Sequence, residues 1–457
     1  MERIRSDRIL MENGVQAGYV YFENGRIAAV TAQELPFDRE WDRTGMIVSP
    51  GFVELHTHGG AGHDFLSSAA DIVAGCNFHL THGATTVCPS LSAAPFERMR
   101  RAVLEAKQAQ RDPALLPNLP GVHMEGPYLS PEQCGAQCVD FMSDPVPEQY
   151  EGLLAEAGDA VARWTYAPER DADGRFCRYL REHGVLPSAG HTNAVYGDMC
   201  VAEDNGCRLV THLYSCTSTV TRKQGFRSLG VIESAFLSDE MCVELIADGK
   251  HLPPELIQMI LKIKGLEHVT VCSDSLALAG TNVTHGWMVN TEFIIEDGVC
   301  KLKDRSAFAG SIASADVLVR VLTQQVGLAL PQAVFVFTGF IKALPKEVEE
   351  AAIIDGCSWT KTFWRIDFPL LKPSISAVII LNAFGIWNNY SQAVFFLQDS
   401  RKHNVPQALS VYFQQFAGAK WNLMAATAVI AIVPVIAAFL LFQKNLIKGL
   451  TDGALKG

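Results

Sequence analysis

The sequence predicts an α/β chain: a closed (β/α)8 barrel, preceded by a small β domain and followed by an all-α apolar tail. Three observations lead there. Eight short β-like runs alternate with longer stretches over roughly 250 residues, the expectation for this barrel. Polar residues able to bind a metal stand at the ends of most of those runs. The charge balance then reverses: residues 1–334 carry 27 Lys and Arg against 42 Asp and Glu, and residues 335–457 carry 11 against 7. A doubly wound open sheet would also alternate, but would not usually place polar chemistry at the end of nearly every strand.

The opening stretch "RIRSDRILMENGVQAGYVYFENGRIAAVTA" has short apolar runs broken by "ENG" turn signals, which read as a small antiparallel sheet. From Met46 the eight runs follow in order: "IVSPGFVELHTH", "GATTVCPSL", "LPGVHMEG", "RWTYAPE", "VLPSAGHT", "RLVTHLY", "CVELIADG" and "HVTVCSDS". Amphipathic segments such as "PFERMRRAVLEAKQAQ" and "PPELIQMILKIKG" lie between some of them and predict helices.

The acidic front part argues against nucleic-acid binding, which needs a positive footprint. The 12 cysteines are scattered singly and the N-terminus lacks the apolar core of a signal peptide, a combination that suits a reducing cytosol. Cys134 and Cys138 match neither a redox CxxC nor a paired zinc ribbon and read as packing residues.

The run ends carry the chemistry. In a strand, residues i and i+2 face the same way, so His56 and His58 can offer two imidazoles to one ion, although an isolated HxH is more often structural. Glu125, His191 and His212 end later runs and complete a nitrogen and oxygen donor set suited to Zn²⁺ or Fe²⁺. His191 or His212 taken singly reads equally well as a satisfied buried residue. Asp274 follows the last run, where an uncompensated charge would be costly; it reads either as a helix N-cap or as a general base for a metal-activated water.

"PGFVELHTHGG", "HMEGPYLSPE", "AGHTNA", "THLY", "ADGKH" and "CSDS", in this order, resemble the N-acetylglucosamine-6-phosphate deacetylases of the amidohydrolase superfamily. The resemblance covers about residues 1–334. It implies that Glu125, His191 and His212 hold the principal ion, that His56 and His58 hold a second where two are used, and that Asp274 is the catalytic aspartate. It further implies substrate contacts from His251 and from Phe308, Ala309 and Gly310 in the "FAGS" turn. Arg222 or Arg227 would bind the phosphate, with this contact available from a neighbouring subunit of a homodimer. Ser215 and Cys216 stand where many relatives have Asn-Ala, and Gln137 where many have His; these substrate-side differences leave another N-acyl or cyclic amide as an alternative substrate. The implied reaction is hydrolysis of a phosphorylated amino sugar's acetamide in the cytoplasm.

Past "LALPQAV" the resemblance stops. The strands expected to return to the opening sheet are missing, so residues 1–45 read as a partial β-sandwich and residues 46–334 as the barrel. In "EEAAIIDGCSWTKTFWRIDFPLLKP", Glu350-Ala351-Ala352, Gly356 and Phe368-Pro369 resemble the cytoplasmic EAA loop of sugar-type ABC transporter permeases. Two apolar spans follow, the second an uncharged run of about 20 residues, the length of a bilayer core. Residues 335–457 thus read as the end of a permease, which implies a membrane and an ABC ATPase subunit as partners. A truncated permease with a passenger barrel is the alternative reading. The abrupt change near Val334 and Phe335, with no linker, reads as two coding segments joined by genomic deletion or faulty assembly.

Overall fold

The computed structural model describes residues 1–11 and 14–338. The EAA-like loop and both apolar spans lie outside the described residues. Among those described, no helix is long and apolar enough to cross a membrane. The described residues belong to the first of the chain's two units, Met1–Leu344.

Eight strands form one sheet in chain order: Phe52–Thr57, Ala84–Ser92, Val122–Glu125, Val161–Tyr166, Leu186–Ala189, Leu209–Val210, Cys242–Ile246 and Val269–Cys272. Each neighbouring pair is parallel. Each overlaps one of the eight runs read from the sequence, in the same order. The sheet's two edges meet through Asp274 N donating to His56 O (2.9 Å) and His58 N donating to Ser275 O (2.8 Å). The cylinder therefore closes through residues already singled out for chemistry.

Strands covered on both faces should be apolar throughout, and the third, seventh and eighth are buried at every position. The helices follow from their own punctuation. Helix Ala69–Thr81 starts at a capping box in which Ser68 accepts from Asp71 N. Helix Phe96–Ala109 buries Met99, Ala102, Val103 and Ala106, spaced by three and four. Helix Pro254–Lys264 begins with proline and stops at Gly265, whose φ of +75° suits glycine.

Two regions differ from the sequence reading. The N-terminal sheet is mixed: Gly14–Glu23 pairs antiparallel with Glu2–Met11 and with Arg26–Thr31, but Arg39–Asp42 and Ile47–Val48 pair parallel with Glu2–Met11. The short apolar runs could not reveal that the chain crosses back before its last two strands. Second, a four-stranded antiparallel sheet, His285–Met288, Thr291–Glu296, Val299–Leu302 and Phe308–Gly310, stands between the eighth barrel strand and helix Ala315–Val321. The "FAGS" stretch is thus a strand edge rather than a free turn. Phe293, Cys300, Met288 and Ala309 pack with Leu276 and Ala136 in a small core of their own.

Helix Leu330–Thr338 spans the apparent join. Ala333, Val334 and Val336 are all buried in the same core cluster as the barrel strands. Residues on both sides of the Val334–Phe335 boundary therefore fill one apolar face. Val336→Asp should destabilise the barrel unit by about 3 kcal/mol or more, because the new carboxylate has no partner in that core. Chemical denaturation of the full chain followed by tryptophan fluorescence measures this, and an unchanged midpoint would show that the helix is not part of the barrel.

Candidate metal centre

The strand ends bring six side chains to one point. His56 lies in the first strand and His58 just beyond it; Glu125 ends the third, and His191, His212 and Asp274 each stand two residues past a strand end. All six are buried. His191, His212 and Asp274 have φ of +46°, +28° and +48°, as do the neighbouring Tyr214 (+77°) and Cys216 (+53°). Non-glycine residues in this region carry strain that the surrounding fold must hold, and they cluster at functional sites.

Glu125 is the hub. Its Oε1 lies 3.0 Å from His212 Nε2, 3.2 Å from His191 Nε2 and 3.4 Å from His56 Nε2, and its Oε2 lies 3.1 Å from His58 Nε2. His56 and His58 present their Nε2 atoms 3.3 Å apart. Asp274 Oδ1 stands 3.5 Å from His56 and 3.4 Å from His58.

The outer nitrogens decide what this arrangement wants. His191 Nδ1 is 2.8 Å from the Gln133 carbonyl and His212 Nδ1 is 3.0 Å from the Ser215 carbonyl. A carbonyl only accepts, so both Nδ1 atoms carry the proton. In the neutral ring the Nε2 lone pair then faces the Glu125 carboxylate. Two lone pairs aimed at one anionic oxygen repel unless a cation lies between them, so the donor set fits a divalent ion. Donor atoms of Glu125, His191 and His212 all lie within 4.8 Å of one another, as do those of His56, His58 and Glu125.

The charges tell the same story. Burial would push Glu125 up, but His56, His191 and His212 outweigh it and hold its carboxylate well below the usual range. Against the burial penalty, Glu125 and Asp274 raise His56 to about 10 and His58 to about 9. Burial pushes His212 down while His191 is held up, despite its own burial, by Cys216 and Glu125. A divalent cation at these oxygens would take the place of the ring protons, since a metal-ligating imidazole must give up the proton on the nitrogen that binds.

The centre opens into a cavity of about 260 Å³. His251 lines it, with Nδ1 held 2.8 Å from Asp248 Oδ2 and the ring edge against Phe308 at 5.0 Å between centroids. Ser215, Cys216, Ala309 and Gly310 also line it. Gln137 reaches the wall too, but both its polar atoms are engaged: Nε2 donates to Glu125 Oε2 (2.5 Å) and Oε1 accepts from Ala93 N (2.8 Å). That bonding makes it a brace for Glu125 and leaves the second N–H of its amide at the cavity wall. Arg222 and Arg227 are not among the lining residues; they face each other across an exposed hairpin, Thr221–Lys223 with Phe226–Ser228. The sequence reading overlooked the partners that orient the histidines: Ser92 on His58, Glu244 on His56, and Arg163 on Glu244. A charged residue in the middle of an otherwise apolar buried strand was the available signal.

Comparison with known proteins agrees with this geometry. The sequence model of the amidohydrolase family matches residues 47–321, more than half of the chain. The chain belongs to the amidohydrolase family. This amidohydrolase is 28% identical over 285 residues to the N-acetylglucosamine-6-phosphate deacetylase of Bacillus subtilis, covering 61% of the chain and 71% of that relative. Its fold matches the solved structure of a Mycobacterium smegmatis N-acetyl-D-glucosamine-6-phosphate deacetylase mutant in complex with N-acetyl-D-glucosamine-6-phosphate, with a TM-score of 0.67, 28% identity, and coverage of 73% of this chain and 87% of that one. A second family, the binding-protein-dependent transport system inner membrane component, matches residues 289–452. Over 129 residues the chain is 43% identical to the melibiose/raffinose/stachyose import permease of Bacillus subtilis, a match of 28% of the chain that spans only 46% of that permease. The two family matches overlap at residues 289–321. In the amidohydrolase unit those residues form part of the four-stranded sheet and helix Ala315–Val321.

Glu125→Ala should weaken zinc binding by well over the ~100-fold loss typical of outer partners, whereas His251→Ala should leave it unchanged. Metal content after dialysis against a competing chelator reads the difference, and equal retention by both variants would contradict the assignment.

Proposed function

We propose that this amidohydrolase removes the acetyl group of N-acetylglucosamine 6-phosphate, giving acetate and glucosamine 6-phosphate. The observation that carries this reading is the convergence of Glu125, His191 and His212 beside Asp274 at the floor of an open cavity. The relatives' activity gives the substrate class.

Zn²⁺ or Fe²⁺ held by Glu125, His191 and His212, with a second ion at His56, His58 and Glu125 where two are used, would polarise the amide carbonyl and lower the pKa of water from 15.7 to about 7. Asp274 accepts a proton from the attacking water and returns it to the sugar nitrogen as the C–N bond breaks. His251, with Nδ1 held by Asp248, keeps Nε2 for the substrate. Phe308, Ala309 and Gly310 line the same cavity as Ser215 and Cys216 and would contact the substrate there.

The phosphate needs a cation, and among the described residues no Lys or Arg lines the cavity. Arg222 and Arg227 are directly opposed on their hairpin, and like charges so placed are destabilising until an anion joins them. Phe226 at the same hairpin is 80% exposed. This favours delivery of the arginines to the cavity of a second copy in a homodimer. We place the barrel in the cytoplasm. The permease-like tail, residues 335–457, would add a membrane and an ABC ATPase as partners without completing a transport path.

The full chain should release acetate from N-acetylglucosamine 6-phosphate and lose that activity on chelation. Asp274→Asn should lower kcat by about 10²–10⁴ with little change in KM, the loss typical of a missing general acid–base group. Chelator-insensitive turnover, or an undiminished kcat in the variant, would overturn the proposal.

A further inference from the structure

Beneath the metal centre, inside the barrel, lies a second cluster that the reaction does not use. Glu244, in the seventh strand, and Arg163, in the fourth, form an ion pair with both groups almost wholly buried. Arg163 holds Glu244 at both oxygens, through Nη1 to Oε2 and through Nη2 to Oε1 (3.1 Å), and is braced by Ser188 Oγ (2.9 Å) and Thr211 Oγ1 (2.8 Å). Glu244 Oε1 also accepts from His56 Nδ1 (3.1 Å) and from the backbone N of His212 (3.3 Å). One carboxylate oxygen thus touches the ring of one candidate ligand and the main chain of another, the latter at its unusual positive φ.

His56, Glu244 and Cys272 also bring three donor atoms within 4.8 Å of one another. They do not make another ion site. The Arg163 guanidinium already supplies the cation there, and burial keeps the Cys272 thiol protonated. The cluster has a different geometric consequence. An ionised carboxylate accepts but does not donate, so its bond to His56 fixes a ring proton on Nδ1 and leaves Nε2 as the nitrogen that faces Glu125 and can bind an ion.

We propose that the Arg163–Glu244 pair is a positioning device for ion binding: Glu244 sets the tautomer and direction of His56 and pins the His212 backbone, and Arg163 keeps Glu244 an acceptor. This rests on the reading of His56 and His212 as metal ligands. A simple space-filling ion pair would be replaceable by any well-packed substitute. A positioning carboxylate is replaceable only by another acceptor.

Two double variants of the full chain separate these roles. R163M/E244Q removes both charges but retains a carbonyl acceptor for His56, whereas R163M/E244L removes the acceptor as well. Zinc affinity, measured by competition with a chromophoric chelator on folded protein, should stay within about threefold of the native chain for the first and fall by about 10–100-fold for the second. Equal affinities in the two folded variants would overturn the inference. Ring-¹⁵N histidine NMR of the native chain decides the same point without substitution in the pair, with His56 assigned from the spectrum of His56→Asn. His56 Nδ1 should carry a proton with and without zinc; an unprotonated Nδ1 would overturn the inference. A native chain that binds no zinc would overturn the proposed function instead, and the NMR measurement would still decide the orientation of His56.

Discussion

The architecture of this protein turns on one buried carboxylate. Glu125 lies at the end of the third barrel strand within 3.4 Å of the Nε2 atoms of His56, His58, His191 and His212. A carboxylate in so dry a place would ordinarily take up a proton. Positive charge and N–H donors from the surrounding imidazoles keep it ionised, and the carbonyls behind His191 and His212 hold a proton on each Nδ1, so that Nε2 is the atom that faces Glu125 and can bind an ion. The result is a concentration of donor atoms that a divalent cation satisfies better than protons can. Barrel closure serves the same end, because the hydrogen bonds that join the first strand to the eighth run between His56, His58 and the residues around Asp274.

Much of this was legible in the sequence. Each of the eight barrel strands overlaps one of the runs read from apolar patterning, although Val161–Tyr166 starts before its run and Ala84–Ser92 ends past its own; parallel strands buried on both faces leave a strong apolar signature. The candidate ligands stood out because His56, His58, Glu125, His191, His212 and Asp274 share one topological place, the C-terminal strand end, and that place survives the loss of all other information about distance. Their order in the chain could not show which oxygen of Glu125 each imidazole faces, or that Gln137 is committed to holding Glu125.

The interior polar pair was hidden for a different reason. Arg163 and Glu244 each look like an isolated anomaly in an apolar run, and only the curvature of the cylinder brings strands four and seven near enough to pair across it. The four-stranded insertion at residues 285–310 was missed because its strands are short and half exposed. The last helix carries the most unexpected relation. The change of character near residue 334 reads as a seam, yet Val334 and Val336 bury themselves in the same barrel core. An apolar helix face asks only for size and hydrophobicity from what covers it, so residues from the permease-like segment can complete a barrel to which they need not originally have belonged.

The central claim is that Glu125, His191 and His212 share one cation, and crystallography of the zinc-loaded full chain at the zinc absorption edge tests it most directly. The account predicts an anomalous peak within about 2.0–2.2 Å of a Glu125 oxygen and of both Nε2 atoms. Density showing these three side chains bonded only to one another, with the zinc elsewhere on the protein, would contradict it.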